Sequence, residues 1–234
     1  MTAITENDAG FHNQDLERTR TRLVEGGSWK KQRIVMVLPS ANLIHAKVAL
    51  SLMNLAFPPN QGVYRYLVLG EEVGVAYSNA VRDILANPQL NQYEYFLTVE
   101  HDNMPPWFGV LKLLEDMEKY PEYSAIGGLY FTKGEGGVAQ IWGDPKDPVQ
   151  NYRPQIPIPN TIQECVGTAM GFTLYRMSML KDLAEKEGHP LFKTVPQGTQ
   201  DLQFWNTARK HGYKCAIDTG VQVGHIDPST GFVW

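Results

Sequence analysis

Positive charge is in short supply in this chain. Its 21 Lys and Arg face 25 Asp and Glu, giving a net charge of −4 and a pI near 5.9. That balance argues against general nucleic-acid binding, which works through a basic face, and leaves room only for a local basic groove. Cysteine is nearly absent. Cys165 and Cys215 alone cannot build a disulfide framework or a four-ligand zinc site, so they read as small buried residues in a reducing, cytoplasmic setting. No apolar run approaches the roughly 18 residues of a membrane span. Residues 1–13 are polar and lack the apolar core of a signal peptide. Also missing are a phosphate-cradling P-loop, a Gly-x-Gly-x-x-Gly turn after the first strand, a Gly-x-Ser-x-Gly elbow and a His-Glu-x-x-His helix. Their absence removes the P-loop, dinucleotide-binding, serine-hydrolase and zinc-protease classes that carry those motifs.

What is present is an ordinary globular composition, 43% hydrophobic and 20% charged, over 234 residues. That length buries a sizeable core. Neither an internal repeat nor a linker divides it, so one domain with two subregions is expected. Residues 1–32 read as a polar tail or surface helix, with a short helix over 15–25. From Arg33 the pattern alternates. Residues 34–38 form an apolar, β-branched run closed by Pro39-Ser40, as in a buried parallel strand. Leu43, Ile44, Val48, Leu52 and Leu55 mark a helix stopped by Pro58-Pro59. A strand over 64–69, a helix over 78–87, a strand over 93–99 and a helix opened by Pro105-Pro106 follow. Strand–helix alternation implies a parallel sheet whose ligands bind at the carboxyl ends of its strands. Pro39-Ser40 and residues 100–103 share that rim. Beyond it come a strand over 124–132, a loop over 144–160 with prolines at 145, 148, 154, 157 and 159, and a strand over 165–175. Helices over 177–186 and 202–211 and short strands over 214–217 and 220–223 complete the chain.

Three constellations could carry chemistry, each with a plainer alternative. Glu100-His101-Asp102 sets two carboxylates after a strand, hard oxygen ligands suited to Mg²⁺ or Mn²⁺, or simply a solvated acidic loop. Asp201, in Thr199-Gln200-Asp201-Leu202-Gln203-Phe204, is placed as a general base or as a helix-capping acid. His225, beside Gly224 just past a strand, is a metal ligand or a hydrogen-bonded turn histidine.

In order, these segments resemble a GT-A glycosyltransferase, close to glycosyltransferase family 2 and its compact phage and bacterial relatives, over about residues 33–225. The strand ending in Pro39-Ser40 matches the border of the nucleotide base. Tyr77-Ser78-Asn79-Ala80-Val81 is similar to an Ala-Arg-Asn-x-x-Val donor element, with Ser78 at the arginine position. Residues 96–106 look like the Asp-x-Asp metal motif followed by proline, with Glu100 in place of the first aspartate. Gly127-Gly128-Leu129-Tyr130-Phe131 is the next match. Val166-Gly167-Thr168-Ala169-Met170-Gly171-Phe172 is similar to the strand lining the sugar pocket. Gln200-Asp201-Leu202-Gln203-Phe204 resembles Glu-Asp-x-x-Phe, whose aspartate is the base of inverting members, and residues 218–225 resemble the late strand with the metal histidine.

The resemblance implies a Rossmann-like mixed α/β sheet flanked by helices in one domain over 33–234. Residues 33–106 would form the nucleotide-binding half and residues 107–234 the acceptor-side half. It implies sugar transfer from a nucleoside diphosphate sugar to an acceptor hydroxyl, with Mn²⁺ or Mg²⁺ held by Asp102, His225 and Glu100. Asp201 would be the catalytic base. Pro39, Ser40, Asn79, Glu100, His101, Asp102, Gly167 and Thr168 would contact the donor. A glycan, lipid, protein or modified nucleic-acid base would serve as acceptor, and the proline-rich loop with Trp142 and Tyr152 would close over the site. Two alternatives stay open: a non-catalytic nucleotide- or glycan-binding module of this fold, and a sugar-nucleotide nucleotidyltransferase.

Overall fold

The computed structural model describes residues 32–59, 61–196 and 198–234. The expected tail and the helix over 15–25 therefore lie outside the described residues, Gln32 excepted. Strand β1 (Gln32–Ser40) leads through helix α1 (Ala46–Asn54) to β2 (Gly62–Leu69), then through α2 (Val73–Ala86) to β3 (Tyr95–Val99). A two-residue strand β4 (Asn103–Met104) precedes α3 (Gly109–Lys119). Next come β5 (Ala125–Leu129), β6 (Ile141–Trp142), β7 (Ile162–Cys165), β8 (Gly167–Thr168) and β9 (Phe172–Arg176). Helices α4 (Met177–Glu187) and α5 (Gln200–Lys210) lead to β10 (Cys215–Gln222) and β11 (Gly224–His225).

Seven strands form one sheet in the order β2-β1-β3-β9-β5-β10-β7. β1 runs parallel to both β2 and β3, and β10 runs parallel to β5. β9 is antiparallel to both its neighbours, and β7 is antiparallel to β10. The sheet is thus mostly parallel, with a reversed strand near its middle and another at one edge. Alternation along each strand feeds two cores. Ile34, Met36 and Leu38 of β1 join Leu97, Phe172, Leu174 and Val110, Leu113 and Met117 of α3 on one face. Val35 and Val37 join Phe96, Tyr175 and the buried sides of α2, α4 and α5 on the other. The result is a single α/β/α layered domain consistent with a Rossmann-like GT-A fold. Among the described residues no helix is long and apolar enough to cross a membrane.

The differences from the sequence reading have local causes. α2 starts five residues before the expected position because the Glu72 side chain caps it, accepting from the Val75 N–H at 2.9 Å. The single strand expected over 165–175 is three pieces, β7, β8 and β9, with Gly171 at the break. The strands expected at 214–217 and 220–223 are one, β10, whose register shifts after Asp218. The proline-rich loop carries no regular element between β6 and β7, yet it is tied down. Gln155 Nε2 donates to the Gly143 and Glu164 carbonyls, and Tyr152 Oη donates to the Leu202 carbonyl of α5 at 3.2 Å. Tyr152 is engaged with α5, and Trp142 pairs with Gly167 across the β6–β8 ribbon. Cys165 and Cys215 are buried register partners with sulfurs 3.8 Å apart.

Trp205 anchors α5 on the sheet. It is fully buried, stacks on Tyr175 at 6.1 Å and donates its Nε1–H to Thr168 Oγ1 at 3.1 Å. Trp205→Ala is expected to cost about 3–5 kcal/mol in urea unfolding. The same change at Trp107, which is 62% exposed, should stay within about 0.5 kcal/mol.

Candidate functional site

The chain gathers a charge cluster where β3, β5 and β10 end. The Glu100 N–H donates to the Gly171 carbonyl, and the Asn103 N–H turns back onto the Glu100 carbonyl. This tight turn puts Asp102 at its outer corner. β4 then pairs with β11, with Asn103 opposite His225, and the Ile226 N–H donates to the Asp102 carbonyl at 2.8 Å. The ends of β3 and β10 are thereby stitched together. His225 Nε2 faces Asp102 Oδ2 at 3.5 Å. The His225 Nδ1–H donates to the Phe131 carbonyl at 2.7 Å, which fixes the ring with Nε2 toward the carboxylate. The Tyr130 ring meets the imidazole edge-on at 5.4 Å. Past Phe131, Lys133 reaches back and places its ammonium on the same Asp102 Oδ2.

The electrostatics separate the two carboxylates of the turn. Burial pushes the Asp102 carboxyl up, but hydrogen bonds from His225 and Lys133, together with their charge, hold it well below the usual carboxylate range. Glu100 has no such partner. Burial first, then the charges of Asp102 and Asp201, raise it to about 8 against the opposing pull of Lys133. Near neutral pH, Glu100 therefore keeps its proton while Asp102 is ionised, because the environment and not the side-chain chemistry sets the state. Asp201, in the first turn of α5, is 8% exposed, and its Oδ1 accepts the Leu202 N–H at 2.8 Å. Burial raises its carboxyl, with the Thr199 hydrogen bond opposing.

Behind the turn is a close polar contact to which the sequence reading gave no role. Asn103 is fully buried, and neither its Oδ1 nor its Nδ2 has a protein partner. Gly171 lies against it: a Cβ there would sit 2.6 Å from Asn103 Oδ1 and as close to the Tyr130 hydroxyl. Only glycine fits between these two side chains. The Tyr130 hydroxyl accepts the Gly171 N–H at 2.8 Å. A buried amide without partners costs free energy, so the packing here is held at the expense of stability.

Asp102 and His225, expected as partners, are brought together, and Glu100 and Asp201 lie within reach of the same field. His101 is half-buried in the turn. Pro39 and Ser40 end β1 beside β2, the Ser40 carbonyl accepting the Gly70 N–H at 2.9 Å. Other expected donor contacts are placed differently. The Thr168 hydroxyl accepts from Trp205 and is fully buried, and the missing Cβ of Gly167 makes room for Leu202 and Trp205. Both serve the seating of α5. Asn79 Nδ2 donates to Glu71 Oε2 at 3.0 Å and lines a cavity of about 430 Å³ with Arg82 and Lys193, apart from Asp102. Ser78 is buried and clamps the Phe192 backbone through both a donated and an accepted bond. Glu100 is not grouped with Asp102 and His225 as a third ligand. Among the described residues no three His, Cys, Asp or Glu side chains gather to hold an ion by themselves. Lys133 was missed, and Asn103 and Tyr130 lay inside matched segments without a role of their own. The signal that could have found Lys133 is its place in a glycine-rich loop directly after β5, on the ligand-binding rim.

No family model matches this sequence, and no curated protein sequence matches it. A solved structure titled "Crystal Structure of A197 from STIV" is similar to it, at 17% identity and a TM-score of 0.61. The match covers 84% of this chain and 87% of that one. At that identity the likeness establishes the shared mixed α/β fold.

The Glu100 shift has a testable sign. A carboxyl titrating near 4.5 in the unfolded chain and near 8 in the folded one favours folding fully below pH 4.5. As pH rises toward 8 the unfolded state gives up a proton that the folded state keeps, and the advantage is lost. Glu100→Gln should therefore match the parent at pH 5 and exceed it at pH 9 by on the order of 3 kcal/mol in urea unfolding. Parallel pH profiles for the two proteins would show that the carboxyl is not held protonated.

Proposed function

We propose that this chain is a glycosyltransferase that moves a sugar from a nucleoside diphosphate sugar to an acceptor hydroxyl, with inversion. One observation carries the reading: Asp102, His225 and Lys133 converge at the ends of three parallel strands, in electrostatic range of Asp201 through Glu100. Ligands of open α/β sheets collect in that position.

The residues suit a divalent ion that arrives with the donor better than a resident one. Asp102 offers a hard oxygen. His225 offers Nε2, its other nitrogen held by a backbone carbonyl as in the imidazoles of metal sites. Mg²⁺ and Mn²⁺ commonly use one or two protein ligands, with substrate phosphates and water completing the shell. When bound, such an ion neutralises charge on the departing diphosphate. The protein's own groups do the remaining work. Glu100, protonated, presents an O–H donor to a phosphate or sugar oxygen. Asp201, its affinity for a proton increased by burial, removes the proton of the attacking hydroxyl. On the acceptor side, Phe131, Pro157, Pro159 and Trp234 line a cavity of about 500 Å³, whose wall includes Gly224, the residue before His225. Its aromatic and proline surfaces fit the apolar face of a sugar ring.

A second reading, a nucleotide- or glycan-binding module without turnover, is favoured by the near-closure of Asp201 and by the ammonium resting on Asp102. A panel of nucleotide sugars with Mn²⁺, followed by thermal shift and by release of nucleoside diphosphate, separates the two. Asp201→Asn is expected to keep the donor-induced shift while transfer falls by about 10²–10⁴-fold. Asp102→Ala should lose the Mn²⁺-dependent shift itself. Near-normal transfer in Asp201→Asn would remove Asp201 as the base. Donor-induced stabilisation of the parent, with no transfer or hydrolysis across the acceptors, would establish the binding module.

A further inference from the structure

We propose that Lys133 is the resident counter-cation of Asp102, holding the ion position shut in the free protein and giving it up only when a diphosphate enters. The inference rests on the reading of this rim as a diphosphate site, and it concerns a residue that the resemblance to glycosyltransferases does not mark.

Three observations carry it. First, the Lys133 ammonium lies on Asp102 Oδ2, the oxygen that also faces His225 Nε2 at 3.5 Å. The ammonium therefore already takes up one approach to the carboxylate oxygen that a divalent ion would use. Mutual repulsion of the two cations disfavours joint occupancy in the absence of added negative charge. Second, Lys133 stands on a largely exposed loop whose tip is closed by its own hydrogen bonds rather than by bonds to the core. The loop closes on itself: the Thr132 N–H donates to the Val138 carbonyl, the Val138 N–H to Thr132 Oγ1 and the Gly137 N–H to the Gly134 carbonyl. Gly134 and Gly136 hold φ of 100° and 72°, and an added Cβ at either would meet nothing within 4 Å. The segment after Lys133 is therefore open to solvent and rich in residues that tolerate large backbone rotations. Third, the ammonium has somewhere to go. A lysine is a compact, mobile point charge that binds phosphate oxygens well. A diphosphate bringing its own divalent ion delivers the ligand for Asp102 and the anion for Lys133 together. Ion and diphosphate would bind as a coupled pair, and neither Asp102 nor Lys133 would be left without a counter-charge at any stage.

The test uses the full chain and Mn²⁺, followed by electron paramagnetic resonance of the free ion, with and without inorganic pyrophosphate. The parent protein should bind Mn²⁺ alone poorly and much better with pyrophosphate. Lys133→Met should bind Mn²⁺ alone about tenfold tighter than the parent, a coupling of ordinary size. Asp102→Asn added to Lys133→Met should abolish that gain. Circular dichroism and thermal melting check that each variant is folded, and Lys133→Gln provides a second, polar replacement. Equal Mn²⁺ affinity in the parent and both Lys133 variants would overturn the gate while leaving the cation site of the proposed function standing. Failure of every protein to bind Mn²⁺, even with pyrophosphate, would overturn both. Turnover that persists in chelator yet disappears in Lys133→Met would also overturn the gate, since the lysine would then itself carry the charge.

Discussion

Two strands of two residues each decide what this protein can do. β4 and β11 pair Asn103 with His225, and the Ile226 N–H closes onto the Asp102 carbonyl. Backbone hydrogen bonds hold the end of β3 to the segment after β10, although β9 and β5 separate those strands in the main sheet. The C-terminal residues brace the arrangement from outside, His225 and Trp234 exchanging both backbone bonds. Because backbone groups do the holding, the Asp102 and His225 side chains are left to face each other over a space reached by Lys133. The reversed strand β9 matters for the same reason. It brings Gly171 beside the turn after β3, where a side chain of any size would collide with Asn103 and Tyr130.

Asp102 and Glu100 share one turn and end in opposite states, and a second acidic pair in the molecule shows why. Asp116 of α3 and Asp218 of β10 are both buried against a single lysine, Lys112. Burial, then the hydrogen bond and the charge of Asp218, raise Asp116 to about 6 despite that lysine. One cation beside two buried acids does not hold Asp116 in the usual carboxylate range. At Asp102 the ratio is reversed: an ammonium and an imidazole serve one carboxylate, and the neighbouring acid keeps its proton. The protein thus places one ionised and one neutral carboxyl side by side.

The parts of the fold carried by uninterrupted apolar runs were legible in the sequence. β1 and β3 announce themselves through residues such as Ile34 to Leu38, buried on both faces of the sheet, and the edge strand β2 through its alternation. The reversal of β9 was not legible, because a run of residues records which faces are buried and not which neighbour it lies against. The glycines at 167 and 171 look alike in sequence and have different work: one admits α5, the other lets Asn103 and Tyr130 come together. Gly167-Thr168, read as a ligand contact, packs against α5 in the fold. Asp102, Asp201 and His225 were singled out by the order of motifs along the chain. Lys133 was not, since a lysine among glycines has the ordinary signature of a solvated loop, and its place after β5 gains meaning once the fold shows this loop leaning over a carboxylate.

The contact at Asn103 joins these observations into one argument. A fully buried amide with both polar atoms unpaired is a cost that an apolar side chain would avoid. Its neighbours are bound to the same place. Gly171 leaves no room for a Cβ between the Asn103 amide and the Tyr130 ring, and the Gly171 N–H holds the Tyr130 hydroxyl there. Three residues from three separate strand ends thus meet in one tight polar contact directly behind the turn that carries Asp102. The backbone of Asn103 also pairs with His225, so a shift of this contact would move the two side chains that face each other. Interiors pack closely and transmit such shifts, and the position of the Asp102 carboxylate relative to the His225 ring therefore depends on groups that touch neither of them.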